Sequence, residues 1–365
     1  MSAARVPFGS PAPREDAPAV RLAIDRVLQS GWYVLGPEVA AFEAEFAEAA
    51  GARHAVGVGT GTDAIALILR GLGIGPGDEV ITTPLSAAYT ALAVMMVGAR
   101  PVFADIDPER HTLAPASVAQ AITPRTKAIL PVHLYGQPAD LRALEALASR
   151  HHLALVEDAC QAHLATAEGR PVGTVGAAGA FSFYPTKNLG ALGDGGAIVT
   201  NDGALAERLR RLRNGGQTNR YHHVEAGINS RLDEMQAAIL RARLPFLKGW
   251  TGKRRMLAAG YRAGLAAAEV RVPTEFDPGH VYHLFVVRST ARTALQAHLA
   301  AAGIETLVHY PVPIPRQPAL AAETPTDCPE GNRACDEVLS LPLHPGLEMT
   351  DVEAVVASVC AFHEE

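Results

Sequence analysis

The chain has 365 residues, enough for one large domain and a smaller one, and its 48% hydrophobic and 19% charged residues can bury a substantial core, which excludes wholesale disorder. A formal charge of -6 argues against a nucleic-acid-binding surface while leaving room for one local basic cleft. The opening stretch MSAARVPFGSPAPRED lacks a signal peptide's apolar run, no later segment is apolar for long enough to span a bilayer, and four cysteines (160, 328, 335, 360) without a CxxC pair suit a reduced, cytoplasmic enzyme.

From about Val56 to Thr200 short apolar runs alternate with helical patterns. Val56-Gly57-Val58 precedes a predicted helix over Asp63 to Leu72, and Glu79-Val80-Ile81 precedes one over Ala87 to Val97. Pro101 to Asp105 and Ala128 to Val132 read as strands, Leu141 to His151 as a helix, and Leu153 to Asp158 as a strand ending in acid. Phe181-Ser182-Phe183 and Ala197 to Thr200 are further strands. Continuous β-runs separated by helices predict an α/β fold: a mainly parallel sheet with helices on both faces. After Asn201 the pattern turns helical, over Ala204 to Asn214 and Arg231 to Leu244; Pro245 and Lys248-Gly249-Trp250 then read as a hinge. Residues 1–245 would form the large domain with an N-terminal arm and 246–365 a smaller α+β domain, with helices over Met256 to Ala268, Ala291 to Ala302 and Asp351 to His363 and a strand within Val281 to Arg288.

In parallel sheets ligands bind outside the carboxyl ends of the strands. Three candidates lie there. Gly59-Thr60-Gly61-Thr62-Asp63-Ala64 joins a strand to a helix, so glycine backbone, free N–H groups and the Thr62 hydroxyl could hold a phosphate; the same residues also suit an ordinary capped helix start. Asp158 could keep a pyridine nitrogen protonated, with Gln161 or His163 on a ring hydroxyl, or it could simply cap the next turn. Lys187 stands between a strand and the glycine-rich run 190–196; burial beside cations would favour the free amine that a Schiff base needs, and Ser182 could reach a phosphate. A loop lysine alone is usually only solvated. Phosphate turn, strand-end aspartate and later lysine together follow the order of a pyridoxal-phosphate site.

The segments SGWYVLGPEV (30–39), GTDAIALILRGLGIGPGDEVI (61–81), TPRTKAILPVHLYGQPADL (123–141), VEDACQAHLA (156–165), FSFYPTKNLGALGDGGAIVTND (181–202), GINSRLDEMQAAIL (227–240) and LSLPLHP (339–345) resemble the DegT/DnrJ/StrS sugar aminotransferase family across nearly the whole chain. The resemblance implies the aspartate-aminotransferase fold (fold type I), with a large three-layer domain and a smaller C-terminal one. It implies that Lys187 binds pyridoxal 5'-phosphate and moves the proton, that Asp158 pairs with the ring nitrogen and that Gln161 faces the ring oxygen. Gly61, Thr62 and Ser182 would hold the phosphate, joined by Asn229 from the partner of a homodimer with shared sites. The expected reaction takes the amino group of L-glutamate, through the pyridoxamine form of the cofactor, to a nucleotide-linked keto sugar.

Two departures stand out. Ala87 occupies the place where many members carry an aromatic over the cofactor ring, so that Tyr89 or smaller groups would cover it. In His309-Tyr310-Pro311-Val312-Pro313-Ile314-Pro315, Pro315 replaces a more usual polar residue of the substrate pocket. Within the family, residues 220–231 resemble members that aminate C3, favouring a dTDP-3-keto-6-deoxyhexose over a UDP-linked 3-keto sugar or uronate, a C4 keto sugar or a cyclitol ketone. Arg220, Tyr310 and His283 are candidate substrate contacts, though each reads equally as a surface or packed residue. A non-catalytic cofactor- or sugar-sensing protein is the alternative outside enzymes, disfavoured by the Asp158–Lys187 pair. His151-His152 and His222-His223 are adjacent pairs that seldom share a metal, so no metal is expected; Arg208, Arg210, Arg211 and Arg213 read as an exposed face, and Cys160 as a small buried filler.

Overall fold

The computed structural model describes residues 6–9, 14–320 and 327–363; the opening stretch without a leader's apolar run lies partly outside them, at 1–5 and 10–13. Helices α1 (Ala17–Ser30) and α2 (Pro37–Ala49) both carry proline in the first turn, where its missing N–H has no helical partner to lose. Then β1 (His54–Val58) leads into α3 (Gly61–Gly71), β2 (Glu79–Thr82) into α4 (Tyr89–Met96), β3 (Arg100–Phe103) into α5 (Pro115–Ala121) and β4 (Thr126–Leu130) into α6 (Leu141–His151). β5 (Ala154–Asp158) is followed by a small ribbon, β6 (Thr166–Ala167) and β7 (Arg170–Pro171), and then by β8 (Ala178–Ser182) and β9 (Gly196–Thr200).

Seven strands form one sheet in the order β1-β9-β8-β5-β4-β2-β3. Every neighbouring pair is parallel except the two made by β9. Adjacent residues serve opposite faces: Ile81 and Leu155 pack with Phe42, Phe46 and Leu144, while Val80 and Val156 pack with Ile65, Leu69 and Leu209. Burial on both faces is why these strands read as unbroken apolar runs. The result is the three-layer α/β architecture expected. Among the strands of this sheet the boundaries shift by up to about three residues, most at β8, which starts at Ala178 rather than Phe181.

Beyond the sheet come α7 (Gly203–Leu212), the hairpin β10 (Gln217–Asn219) and β11 (His222–His223), and α8 (Glu234–Arg243). They are followed by α9 (Leu247–Gly264), β12 (Phe285–Arg288), α10 (Arg292–Ala301), α11 (Pro329–Glu337), β13 (Val338–Leu341) and α12 (Met349–Cys360). The antiparallel pair β12–β13 supports a separate core of Leu257, Tyr261, Phe285, Val287, Leu341 and Val355. Val6, from the N-terminal arm, packs in this second core and bridges Ile304.

Two expectations are corrected. The anticipated hinge at 245–250 is helical: Leu244–Phe246 makes a 3-10 turn and α9 runs unbroken through Lys248-Gly249-Trp250. Leu247, Thr251, Arg254, Leu257 and Tyr261 form its buried stripe, and that burial outweighs the weak helix propensity of Gly249. Nor do the arginines of α7 merely decorate a surface. Arg208 and Arg211 share Glu225, at 3.0 and 3.2 Å, and Arg213 is buried, pairing with Glu43 and donating to the Gly57 carbonyl at 2.6 Å.

Glu157, next to the strand-end aspartate, anchors β5 from below. Its carboxylate accepts the N–H groups of Gly173, Val175 and Gly176 at 2.7, 2.8 and 2.9 Å and pairs with His133 Nε2 at 3.1 Å. The Ala139 N–H donates to His133 Nδ1, which places the ring proton on Nε2, toward Glu157. Glu157→Ala strands three backbone N–H donors and the buried His133 Nε2–H, and should lower the unfolding free energy by about 3 kcal/mol or more. Denaturant unfolding at neutral pH measures this, and an unchanged midpoint would refute it.

Candidate active site

The turn from β1 to α3 is capped by Thr60, whose Oγ1 accepts the Asp63 N–H at 3.0 Å. That leaves the N–H groups of Gly61 and Thr62 in the first helical turn, where no intrahelical carbonyl can reach them. A Cβ added at Gly61 would lie 2.7 Å from Cys160 Sγ and 2.8 Å from Ser182 Cβ. Three segments far apart in the chain therefore meet at one point. Gly196, at the start of β9, approaches as closely: its Cβ would sit 2.4 Å from the Thr60 carbonyl. Both glycines are required by contact rather than by backbone angle.

Asp158 ends β5 and is buried. Its Oδ1 accepts the Cys160 N–H at 3.1 Å and its Oδ2 accepts the Thr90 hydroxyl at 2.8 Å. Thr90, on the first turn of α4, escaped the sequence reading because nothing in a helical threonine marks it for a carboxylate 68 residues on. Gln161 is also buried; its Oε1 accepts the Tyr135 N–H at 2.8 Å and its Nε2 donates to the Tyr310 hydroxyl at 3.1 Å. Tyr310 is thus brought to the same place from the far end of the chain. His163 packs between Phe181 and Phe183, and its Nε2 hydrogen-bonds the Ser182 carbonyl at 2.8 Å.

Lys187 follows β8 in a tight turn, its N–H donating to the Tyr184 carbonyl at 2.8 Å. Gly190 closes that turn, since a Cβ there would lie 2.5 Å from the Pro185 carbonyl. Desolvation lowers the lysine pKa against the opposing pull of Cys160 and Asp158, which lie within its electrostatic reach. Lys187 also lines a cleft of about 1380 Å³ with Asn188, His283, His309, Arg254 and His344. Asp158, Gln161 and Ser182 lie outside this cleft, so it meets the lysine from the side of the second core.

Other expected residues are not gathered within this chain. Asn229 is exposed, although its neighbour Ser230 is buried and links the Gly59 N–H at 2.9 Å to Asp63 at 2.7 Å. Arg220 is exposed on the β10–β11 hairpin, stacked over Tyr221, and does not reach the lysine cleft. Ala87 is half-buried, and Tyr89 is 64% exposed. Pro315 sits in a 3-10 turn, Ile314–Arg316. Among the described residues no group of three or more His, Cys, Asp or Glu is placed to hold a metal, and no helix is long and apolar enough to cross a membrane.

The imidazoles around this region are kept neutral. Desolvation lowers His163 and His280 to about 3, and His111, His309 and His344 to about 4. The nearby Lys187 charge adds to the effect at His163 and His309. A depressed folded-state pKa means that the unfolded chain takes up protons first as pH falls, so the stabilisation is present above about pH 6.5 and lost below it. Each of these histidines contributes a slope of up to about 1.4 kcal/mol per pH unit. Urea unfolding should therefore show a steep fall in stability from neutral pH to about pH 5; a flat profile would contradict the burial of these rings.

The chain has counterparts among known proteins. The model of the DegT/DnrJ/EryC1/StrS aminotransferase family matches residues 15–360. The chain is 53% identical over 346 residues to dTDP-3-amino-3,4,6-trideoxy-alpha-D-glucose transaminase of Streptomyces venezuelae, covering 94% of this chain and 91% of that one. Its fold matches the crystal structure of S. venezuelae DesV in complex with a ketimine intermediate with a TM-score of 0.95 and 51% identity, over 98% of both chains. NtdA of Bacillus subtilis, solved with the bound cofactor PMP, matches with a TM-score of 0.91 and 30% identity, over 98% of this chain and 85% of that one. Vitamin-B6 cofactors thus serve this family. With its central sheet and nearly full-length match in agreement, the chain belongs to the DegT/DnrJ/EryC1/StrS aminotransferase family and has fold type I.

Proposed function

We propose that this chain transfers the amino group of L-glutamate to C3 of a dTDP-linked 3-keto-6-deoxyhexose, using pyridoxal 5'-phosphate that cycles through its pyridoxamine form. One observation carries the reading: a desolvated amine, Lys187, lies within electrostatic reach of Asp158 where Gly61, Cys160 and Ser182 touch. Amine, carboxylate and anion-binding turn converge, as such a cofactor requires. The sugar assignment is supported by the transaminase of Streptomyces venezuelae, whose name specifies a dTDP-linked 3-amino sugar.

The residues suit the cofactor. The unpaired first-turn N–H groups of Gly61 and Thr62, the Thr62 hydroxyl and Ser182 would hold its phosphate. Asp158, held by Thr90 and the Cys160 N–H, keeps lone pairs for a ring nitrogen, and Gln161 would face the ring oxygen. Ala87 and Tyr89 would border the ring. When bound, the cofactor supplies an electron sink that loosens a C–H bond. Lys187 would then hold the cofactor covalently and, once released, take and return the proton at its ε-amine.

The working form is a homodimer in the cytoplasm, where its four unpaired cysteines are at home. Asn229 of a second copy would reach the phosphate, consistent with its exposure here. Residues 1–245 would carry the cofactor and 246–365 the other wall of the cleft.

Lys187→Ala should abolish both the visible band of the lysine-held cofactor and turnover; full activity in that variant would end the proposal. In the parent enzyme the lysine-held band should form at lower pH than a solvated lysine permits, because desolvation favours the free amine. Gly61→Ala should weaken cofactor retention by about tenfold or more, equivalent to about 1.4 kcal/mol, without loss of fold. Equilibrium dialysis against pyridoxal phosphate, with circular dichroism as control, tests it, and unchanged affinity would count against the phosphate turn.

A further inference from the structure

The end of β8 is held by a side chain rather than by its sheet. Parallel pairing of β5 with β8 runs out at Asp158 and Ala180, and the Ala159 N–H donates to the Ala180 carbonyl at 2.9 Å. The chain then turns away, with the Ala162 N–H closing on the Ala159 carbonyl at 2.9 Å. Backbone groups along a strand face its two neighbours alternately, so the next carbonyl of β8 directed toward β5 is that of Ser182. Phe183 faces β9 instead and donates its N–H to the Gly195 carbonyl at 2.8 Å. His163 supplies the missing rung: its Nε2 lies 2.8 Å from the Ser182 carbonyl.

A carbonyl oxygen only accepts, so the ring proton sits on Nε2 and Nδ1 is bare. The imidazole is fully buried, its centroid 5.6 Å from that of Phe181 and 5.7 Å from that of Phe183. Nδ1 is closed off from solvent and has no hydrogen-bond partner among the described residues. Burial, reinforced by the Lys187 charge, keeps the ring neutral. An unpaired buried lone pair is unfavourable, and an apolar side chain would fill the slot between two phenylalanines without one. Packing therefore does not account for an imidazole here; the Nε2–H does.

Alternation along β8 sends Phe181 and Phe183 to one face and Ser182 to the other. On that second face Ser182 Cβ stands 2.8 Å from where a Cβ of Gly61 would be. We infer that His163 is a positioning residue for the cofactor phosphate: its Nε2–H fixes the Ser182 backbone and so holds the Ser182 hydroxyl beside the first-turn N–H groups of α3. This inference rests on the phosphate-holding role given above to Ser182 and the Gly61 turn.

Pyridoxal 5'-phosphate and pyridoxal differ only in the phosphate, so the ratio of their dissociation constants isolates it. In His163→Leu, which fills the aromatic slot without a donor, affinity for pyridoxal phosphate should fall about tenfold while affinity for pyridoxal stays within about twofold. His163→Gln, whose amide Nε2 reaches the same carbonyl, should keep the parent ratio. In a Ser182→Ala background His163→Leu should add little, because the hydroxyl it positions is gone. Equal losses for both ligands, additive losses in the double variant, or a Gln variant no better than Leu would overturn the proposal. Should His163→Leu fail to fold, His163→Asn, polar but too short for the carbonyl, takes its place. Nitrogen-15 spectra of histidine-labelled apoprotein, assigned by the signals lost in His163→Gln, should show Nε2 protonated and Nδ1 bare from about pH 6 to 8; the opposite tautomer overturns the proposal as well. The parent separates the two ideas: pyridoxal bound as tightly as its phosphate defeats the phosphate site, whereas an unchanged ratio in His163→Leu defeats only the role of His163.

Discussion

The closeness of the backbone at Gly61 is the constraint on which the site depends. A single methyl group there would collide with Cys160 and Ser182. Because it has none, the first turn of α3, the segment after β5 and the end of β8 meet at one point. Asp158 and Cys160 thereby come within electrostatic reach of the Lys187 amine. No one of these segments makes a site. Their contact does.

Around this point the protein withholds water, and much of its electrostatics follows. Removing solvent favours the free amine of Lys187 and strips charge from the neighbouring imidazoles. Asp158 is the counterweight, kept in place by the Thr90 hydroxyl and the Cys160 N–H. Glu157, one residue earlier and facing the other way, secures the 173–176 turn to the base of the same strand. Alternation along one strand thus turns one carboxylate toward the 173–176 turn and the next toward Thr90 and the Cys160 N–H.

The second core contributes the other wall. Tyr310 reaches across to Gln161, and His283 to Asn188, so side chains remote in sequence join the residues on either side of the strand-end cluster. Tyr135, from the turn after β4, adds a hydroxyl bond to the His309 carbonyl and holds Gln161 through its N–H. The cleft is framed by hydrogen bonds between the two cores rather than by a single rigid element.

The apolar runs, their alternation with helices and the polar residues at their ends were readable from residue order alone, because a strand buried on both faces must be apolar throughout and its ligand-binding groups must wait for its end. Local order misled where distant packing decides. The glycine and lysine at 248–249 suggest a hinge, yet the buried stripe of α9 makes them helical; Arg213 looks like its solvated neighbours, yet folding buries it against Glu43. Thr90 and Asn188 carry no local signal, since a hydroxyl or an amide gains its role only from the group opposite. The amino-acid order by itself determined the layered sheet, the candidate lysine and aspartate and the family to which they belong. Only the tertiary structure decided which side chains hold them and which charges are lost to burial, because hydrogen bonds and desolvation depend on distances that periodicity does not contain.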